Sequence, residues 1–238
     1  MKKLRDYFDT LMDFDTQREN VEWSNVWIDR VSDRDSKRYL LIGDSVLRMI
    51  RGSIAGKLNC PIDFIGCSSA LNDVLFVNLV DYFFQTTDYK YAGIVIQVNH
   101  HGTVGKDGGD FNEVDYEIYH DSLFRLVEFV KQYTSNVVLV NVLDFYMLKP
   151  KIKHFPQRLH DALYRWKVLK EKKDEFRTAI CHCRNVEINK VAQESNIKFL
   201  DLNKVIANHK IIRVDRIHPE YRAVPIMADS IVEQILKQ

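Results

Sequence analysis

Short apolar runs alternate with segments of helical periodicity along most of this chain, and that alternation constrains the fold more than any other feature. Tyr39–Ile42, Ile62–Ile65, Ile94–Val98, Val137–Val140 and Ile197–Leu200 are mostly apolar, the pattern of strands buried on both faces, and Ile94–Val98 is rich in β-branched side chains. Between and after them, 46–58, 72–85, 114–132, 159–194 (with a break expected near Thr178) and 222–236 place apolar residues at helical spacing. In 114–132 the stripe is Ile118, Leu123, Leu126, Val127 and Val130. Strands alternating with helices predict an α/β fold: a three-layer α/β/α sandwich around a central, mainly parallel, five-stranded sheet. In open sheets of this kind ligands bind beyond the carboxyl ends of the strands, so the residues just after each strand are the places to look.

A chain of 238 residues suffices for one large domain with a substantial core. Residues 38–238 are expected to form it. The polar segment 1–37, which carries Trp23 and Trp27, is expected to be a helix and an irregular lead-in packed on that domain. The two tryptophans would cover the core edge or line a groove. A net charge of +1 points to neither nucleic acid nor an anionic membrane as partner. The opening MKKLRDYFDTLMDFD has no apolar stretch of signal-peptide length. No segment approaches the ~20 apolar residues of a membrane span, so a cytoplasmic location is expected. Cys60, Cys67, Cys181 and Cys183 are expected as free thiols. Cys181-His182-Cys183 lacks the second ligand pair of a structural zinc site, and no metal is expected.

Four strand ends and loops carry chemistry. The first apolar run ends in Gly43-Asp44-Ser45. A serine at a strand-to-helix turn lies beside free N–H groups and the positive end of a helix dipole, which suits a nucleophile whose attack creates an oxyanion. Taken alone, the motif fits a helix cap equally well, because serine is a common N-cap. The second run ends in Gly66-Cys67-Ser68-Ser69, where a glycine lets the backbone approach a ligand closely. The third ends in Asn99-His100-His101-Gly102, and an asparagine amide can donate to an oxyanion. Near the C-terminus, Asp215-Arg216-Ile217-His218-Pro219 places a carboxylate three residues before a histidine, close enough to orient its ring.

Together these blocks resemble the SGNH hydrolase superfamily, also called the GDSL family, over residues 38–236. Gly43-Asp44-Ser45 is similar to its first block, Gly66 to the glycine of the second, Asn99 to the asparagine of the third, and Asp215-x-x-His218-Pro219 to the fifth. The resemblance implies a flavodoxin-like three-layer fold. It also implies Ser45 as nucleophile, His218 as general base and then acid, and Asp215 as the group that fixes the imidazole tautomer. The backbone N–H groups of Ser45 and Gly66 and the Asn99 amide would form the oxyanion hole. Two positions depart from the family pattern. Gln97 stands where a glycine is usual and would narrow the space beside the oxyanion hole, and His100 stands where an aspartate is usual.

A triad sets a reaction class, not an acceptor: an acyl-enzyme can pass its acyl group to water or to a sugar hydroxyl. The Asn99–Gly102 loop is similar to family members associated with bacterial surface-polysaccharide loci. The leading expectation is therefore an O-acetyltransferase acting on a carbohydrate, with no bound cofactor and with acetyl-CoA as acyl donor. An esterase acting on O-acyl esters of carbohydrates or small molecules is the alternative, and a non-catalytic glycan-binding protein the second. His100, His101 and Tyr146 are candidate substrate contacts, with Phe145, His154 and Phe155 in the same 143–158 loop as Tyr146. Arg48 and Arg51 would meet an anionic substrate or lie on a solvated helix face. A phosphate-binding loop is disfavoured, because no G-x-G-x-x-G or G-x-x-x-x-G-K-[ST] pattern is present.

Overall fold

The computed structural model describes residues 2–11, 24–98, 116–144, 173–211 and 218–237, with backbone alone over 173–178. After a 3₁₀ turn at Leu4–Tyr7, the elements run β1 (Ser24–Trp27), β2 (Arg38–Gly43), α1 (Ser45–Leu58), β3 (Ile62–Cys67), α2 (Val74–Thr86), β4 (Tyr91–Gln97) and α3 (Tyr116–Val130). They continue with β5 (Val137–Val140), α4 (Lys173–Glu194), β6 (Lys198–Leu200), α5 (Leu202–Asn208) and α6 (Ala223–Leu236). The sheet order is β1-β3-β2-β4-β5-β6. All neighbours are parallel except β1, which runs antiparallel to β3.

The α/β sandwich is the expected architecture, with one strand more than predicted. Residues 24–27 were expected as irregular lead-in, but pair with β3 from Ser24↔Cys67 to Trp27↔Phe64. Three of these four residues are exposed, so the segment has no buried stripe to reveal it as a strand. A second omission is α5, seven residues capped by Asp201, whose side chain accepts from the Lys204 N–H. α4 runs through Thr178 without the expected break.

Alternating side chains of the parallel strands feed two apolar layers. Leu40, Ile42, Ile65, Ile94, Ile96 and Leu139 pack under α2, α3 and α4. Leu41, Phe64, Val95, Val138 and Val140 pack under α1, α5 and α6. The helices match this by periodicity: α1 buries Val46, Leu47, Ile50 and Ile54, while α3 buries Tyr119, Leu123, Leu126, Val127 and Val130. Each fully buried aliphatic side chain contributes roughly 1.5–3 kcal/mol, so the layers rather than any one contact hold the sheet. Among the described residues no helix is long and apolar enough to cross a membrane. Cys60, Cys67, Cys181 and Cys183 are free thiols, and the first three are buried.

Candidate active site

The chain leaves β2 through α1 to reach β3 on one side, then returns over β2 through α2 to reach β4 on the other. That reversal makes the carboxyl end of β2 a topological switch point, where a crevice opens between diverging connections. Gly43, the last residue of β2, is in register with Gly66 of β3 on one side and Gln97 of β4 on the other. The two glycines allow the strands to meet there. A Cβ on Gly66 would come within 2.0 Å of the Gly43 carbonyl oxygen, and one on Gly43 within 2.6 Å of the Gln97 carbonyl oxygen.

Ser45 opens α1 directly above this row. Asp44, not Ser45, is the N-cap: its Oδ1 accepts from the Val46 N–H at 2.9 Å. The cap therefore leaves the serine hydroxyl to another partner, and that partner is His218. Its Nε2 lies 2.8 Å from Ser45 Oγ, across 173 residues of sequence. Both residues are half-buried, open enough for a substrate to reach. His218 leads into the turn that begins α6, where the Ala223 N–H donates to the Glu220 carbonyl and the Val224 N–H to the Tyr221 carbonyl. α6 packs on α1, and this contact joins two elements far apart in the sequence.

With the imidazole in the tautomer that protonates Nδ1, Nε2 is the acceptor of a hydrogen bond from the Ser45 hydroxyl. Of the residues singled out from sequence, the structure joins Ser45 to His218 and sets Gly66 beside Gly43. Asn99, His100, His101, Tyr146 and Asp215 lie outside the described residues, as do Phe145, His154 and Phe155. Gln97 is fully buried and its Nε2 donates to the Asn141 carbonyl at 2.9 Å, turned towards the chain that continues β5. Arg51 is half-buried: its guanidinium lies 4.4 Å from the centroid of the Trp27 ring and donates to the Ile62 carbonyl. Trp27 thus stands on the edge strand, 48% exposed.

Three neighbours escaped the sequence reading. Asp44 preceding Ser45 was legible as a rival cap, since aspartate caps as well as serine. Tyr119 and Arg184 were not: both are buried, far apart in sequence, and meet with the guanidinium 5.9 Å from the ring centroid. Burial lowers the Arg184 pKa from its ordinary value and raises that of Tyr119. Burial, and then Cys183, push Tyr116 nearby up to about 12.

No family model matches this chain, and no curated protein matches its sequence. Its fold has relatives among solved structures. An acetylxylan esterase, Axe2, from Geobacillus stearothermophilus superposes with a TM-score of 0.54 at 14% identity, covering 85% of this chain and 95% of the other. The acetyl xylan esterase AlAXEase superposes at 0.55 and 15%, covering 84% and 100%. An alpha/beta hydrolase from the metagenome of Lake Arreo, Spain, superposes at 0.54 and 10%, covering 84% and 95%. At these identities the likeness concerns the fold: this chain is built on the same α/β frame as those esterases and that hydrolase.

Proposed function

We propose that this protein is a serine esterase that hydrolyses O-acetyl esters of carbohydrates through an acyl-enzyme on Ser45. The single observation that carries the reading is the 2.8 Å contact between Ser45 Oγ and His218 Nε2 at the switch point of the sheet. A nucleophile and a base within hydrogen-bond reach at a helix N-terminus are the working parts of acyl transfer.

In this reading Ser45 Oγ attacks the acetyl carbonyl and its proton passes to His218 Nε2. The tetrahedral oxyanion is met by the N–H groups of Ser45 and Gly66 and by the Asn99 amide. Collapse expels the sugar hydroxyl, which takes the proton from His218 and leaves acetyl on Ser45. Water then attacks, with His218 again as base, and acetate departs. Asp215 accepts from Nδ1–H and holds the tautomer. His100, His101 and Tyr146 border the sugar.

Hydrolysis moves ahead of acetyl transfer, the leading expectation from sequence, because the solved structures that share this frame include acetylxylan esterases. Transfer from acetyl-CoA would use the same acyl-enzyme but differs at both half-reactions: the donor is a thioester that releases the CoA thiol, and a sugar hydroxyl rather than water resolves the acyl-enzyme. The test is treatment with a fluorophosphonate followed by peptide mapping, then assay of acetylated xylo-oligosaccharides in water against acetyl-CoA plus unacetylated glycan. A single adduct on the Ser45 peptide and acetate release from the ester support the proposal. Acetylated glycan formed only with acetyl-CoA would replace it with the transferase. No adduct on folded protein would leave a glycan-binding protein.

A further inference from the structure

A cavity of about 360 Å³ opens on the outside of α3, walled by Tyr7, Asp121, Phe124, Arg125 and Glu128. The last four stand at i, i+3, i+4 and i+7, which is one face of the helix. The opposite face buries Leu123, Leu126, Val127 and Val130. Tyr119 Oη donates to the Val98 carbonyl at 2.9 Å and so ties the first turn of α3 to the carboxyl end of β4. The cavity therefore begins near the end of the sheet that carries Ser45 and runs down the side of the sandwich. Tyr7, the wall opposite α3, is held in place. The Leu4 and Arg5 N–H groups donate to Oδ1 and Oδ2 of buried Asp81 on α2, at 2.5 and 3.1 Å. The Lys2 N–H donates to Gln132 Oε1 at 3.1 Å, and the Tyr7 ring meets Phe129 edge to face with centroids 6.2 Å apart. A wall fixed before the ligand arrives loses little freedom on binding.

The lining selects a ligand class. Its volume falls within the range of about 300–1,000 Å³ typical of small-ligand sites. Tyr7 and Phe124 are half-buried, packed on the core on one side and bordering the cavity on the other, and aromatic rings offer large apolar surfaces to a ligand. The charged walls are already matched. Arg125 Nη2 lies 3.5 Å from Asp9 Oδ2, Lys131 Nζ donates to Glu128 Oε1 at 2.7 Å, and Asp121 Oδ1 lies 3.6 Å from His120 Nδ1. Matched charges give an ion of either sign little net attraction. The carboxylates still have spare lone pairs and the guanidinium spare N–H groups, and both are planar groups that can engage two neighbouring polar atoms at once. The ligand that suits such walls is uncharged, has adjacent hydroxyls and has apolar C–H faces. A sugar ring has all three.

We propose that the cavity between Tyr7 and α3 is a second carbohydrate-binding site, which holds the sugar chain of a polymeric substrate while its esters are cleaved at Ser45. The part it plays in catalysis rests on the reading of the protein as a carbohydrate esterase; the binding itself needs no reaction.

The experiment is a titration of the ¹⁵N-labelled full chain with unacetylated xylohexaose, followed by amide chemical shifts. Shifts at Tyr7 and over residues 121–128 are expected. Phe124→Ala should weaken this binding about tenfold, since it removes a stacking face. Asp121→Ala, at an exposed side chain whose loss does not disturb the core, should weaken it about three- to tenfold by removing hydrogen bonds, and it decides the matter if melting shows Phe124→Ala to be unfolded. Both variants should keep the wild-type kcat/KM on 4-nitrophenyl acetate, which is too small to span the two sites, while KM for acetylated xylan rises. Absence of shifts at Tyr7 and 121–128, shifts confined to the surroundings of Ser45 and His218, or wild-type affinity in Asp121→Ala would each overturn the proposal. An unchanged KM for acetylated xylan in a variant that has lost xylohexaose binding would do the same. The two readings fail separately. A protein that hydrolyses acetyl esters but shows no shifts at the cavity loses the second site and keeps the esterase. One that shows the shifts but is inert to ester and fluorophosphonate keeps the site and loses the acyl-transfer reading.

Discussion

The amino end of β2, at Arg38, and the turn just beyond its carboxyl end, at Ser45, are built on opposite principles. At the amino end Arg38 is 1% exposed. Its Nη1 donates to Asp63 Oδ1 at 2.6 Å and to the Asp29 carbonyl at 2.7 Å, and its Nη2 to the Asp33 and Arg30 carbonyls at 2.9 and 3.2 Å. Tyr91 Oη donates to Asp63 Oδ2 at 2.9 Å, and the Tyr89 ring lies 4.1 Å from the guanidinium. Burial pushes the Asp63 carboxyl above its ordinary pKa, against the opposing pull of the Asp29 N–H, Tyr91 and Arg38. This network ties the chain before β2 to the sheet and shuts out solvent. At the carboxyl end, Gly43 and Gly66 contribute no side chains, and Ser45 and His218 stay half-buried. The closed end buries its polar pair completely, whereas the open end leaves its paired serine and histidine half-buried. A rigid frame at one end lets the other hold a serine and a histidine in place without being buried itself.

The division breaks most visibly with Ser45→Ala. If the open end is the site of chemistry, turnover of an acetyl ester should fall on the order of 10⁶-fold while the melting temperature stays put. Retained activity would remove Ser45 from the mechanism. Asp63→Asn should do the reverse. It leaves the Arg38 cation buried without its counter-charge, so stability should drop by about 3–5 kcal/mol in urea titration, with kcat of the folded fraction unchanged. A loss of kcat at unchanged stability would mean that the two ends are not separable. Gly66→Ala joins the two measures: its Cβ meets the Gly43 carbonyl at 2.0 Å, so the strands must part beside Ser45. A loss of about 1–3 kcal/mol is expected, together with a fall in kcat; wild-type values for both would show that the close approach is not needed. Smallest is Asp44→Ala, which removes the α1 cap and should cost about 1 kcal/mol by thermal melting. No change would mean that Ser45 takes over the cap.

Much of the frame was legible because periodicity is local. Leu40–Ile42 and Ile94–Ile96 read as buried strands from composition alone, and α3 and α6 from their apolar spacing. β1 was not, because a mostly exposed four-residue strand carries no stripe, and α5 was too short to show a period. At the site, the glycine and serine of Gly43-Asp44-Ser45 and the histidine before Pro219 stood out as motifs. The assignment of the cap to Asp44 did not, since both residue types cap helices and only geometry chooses.

The amino-acid sequence by itself determined most of the strands and helices, β1 and α5 apart, and hence a largely parallel sheet. Those properties follow from side-chain spacing over a few residues. Only the tertiary structure decided the strand order that sets Gly66, Gly43 and Gln97 in one row, the lock of Arg38 on Asp63, the hold of Tyr119 on Val98, and the contact of His218 with Ser45. Each joins groups from separate elements, and no local pattern encodes a partner that long-range packing alone selects.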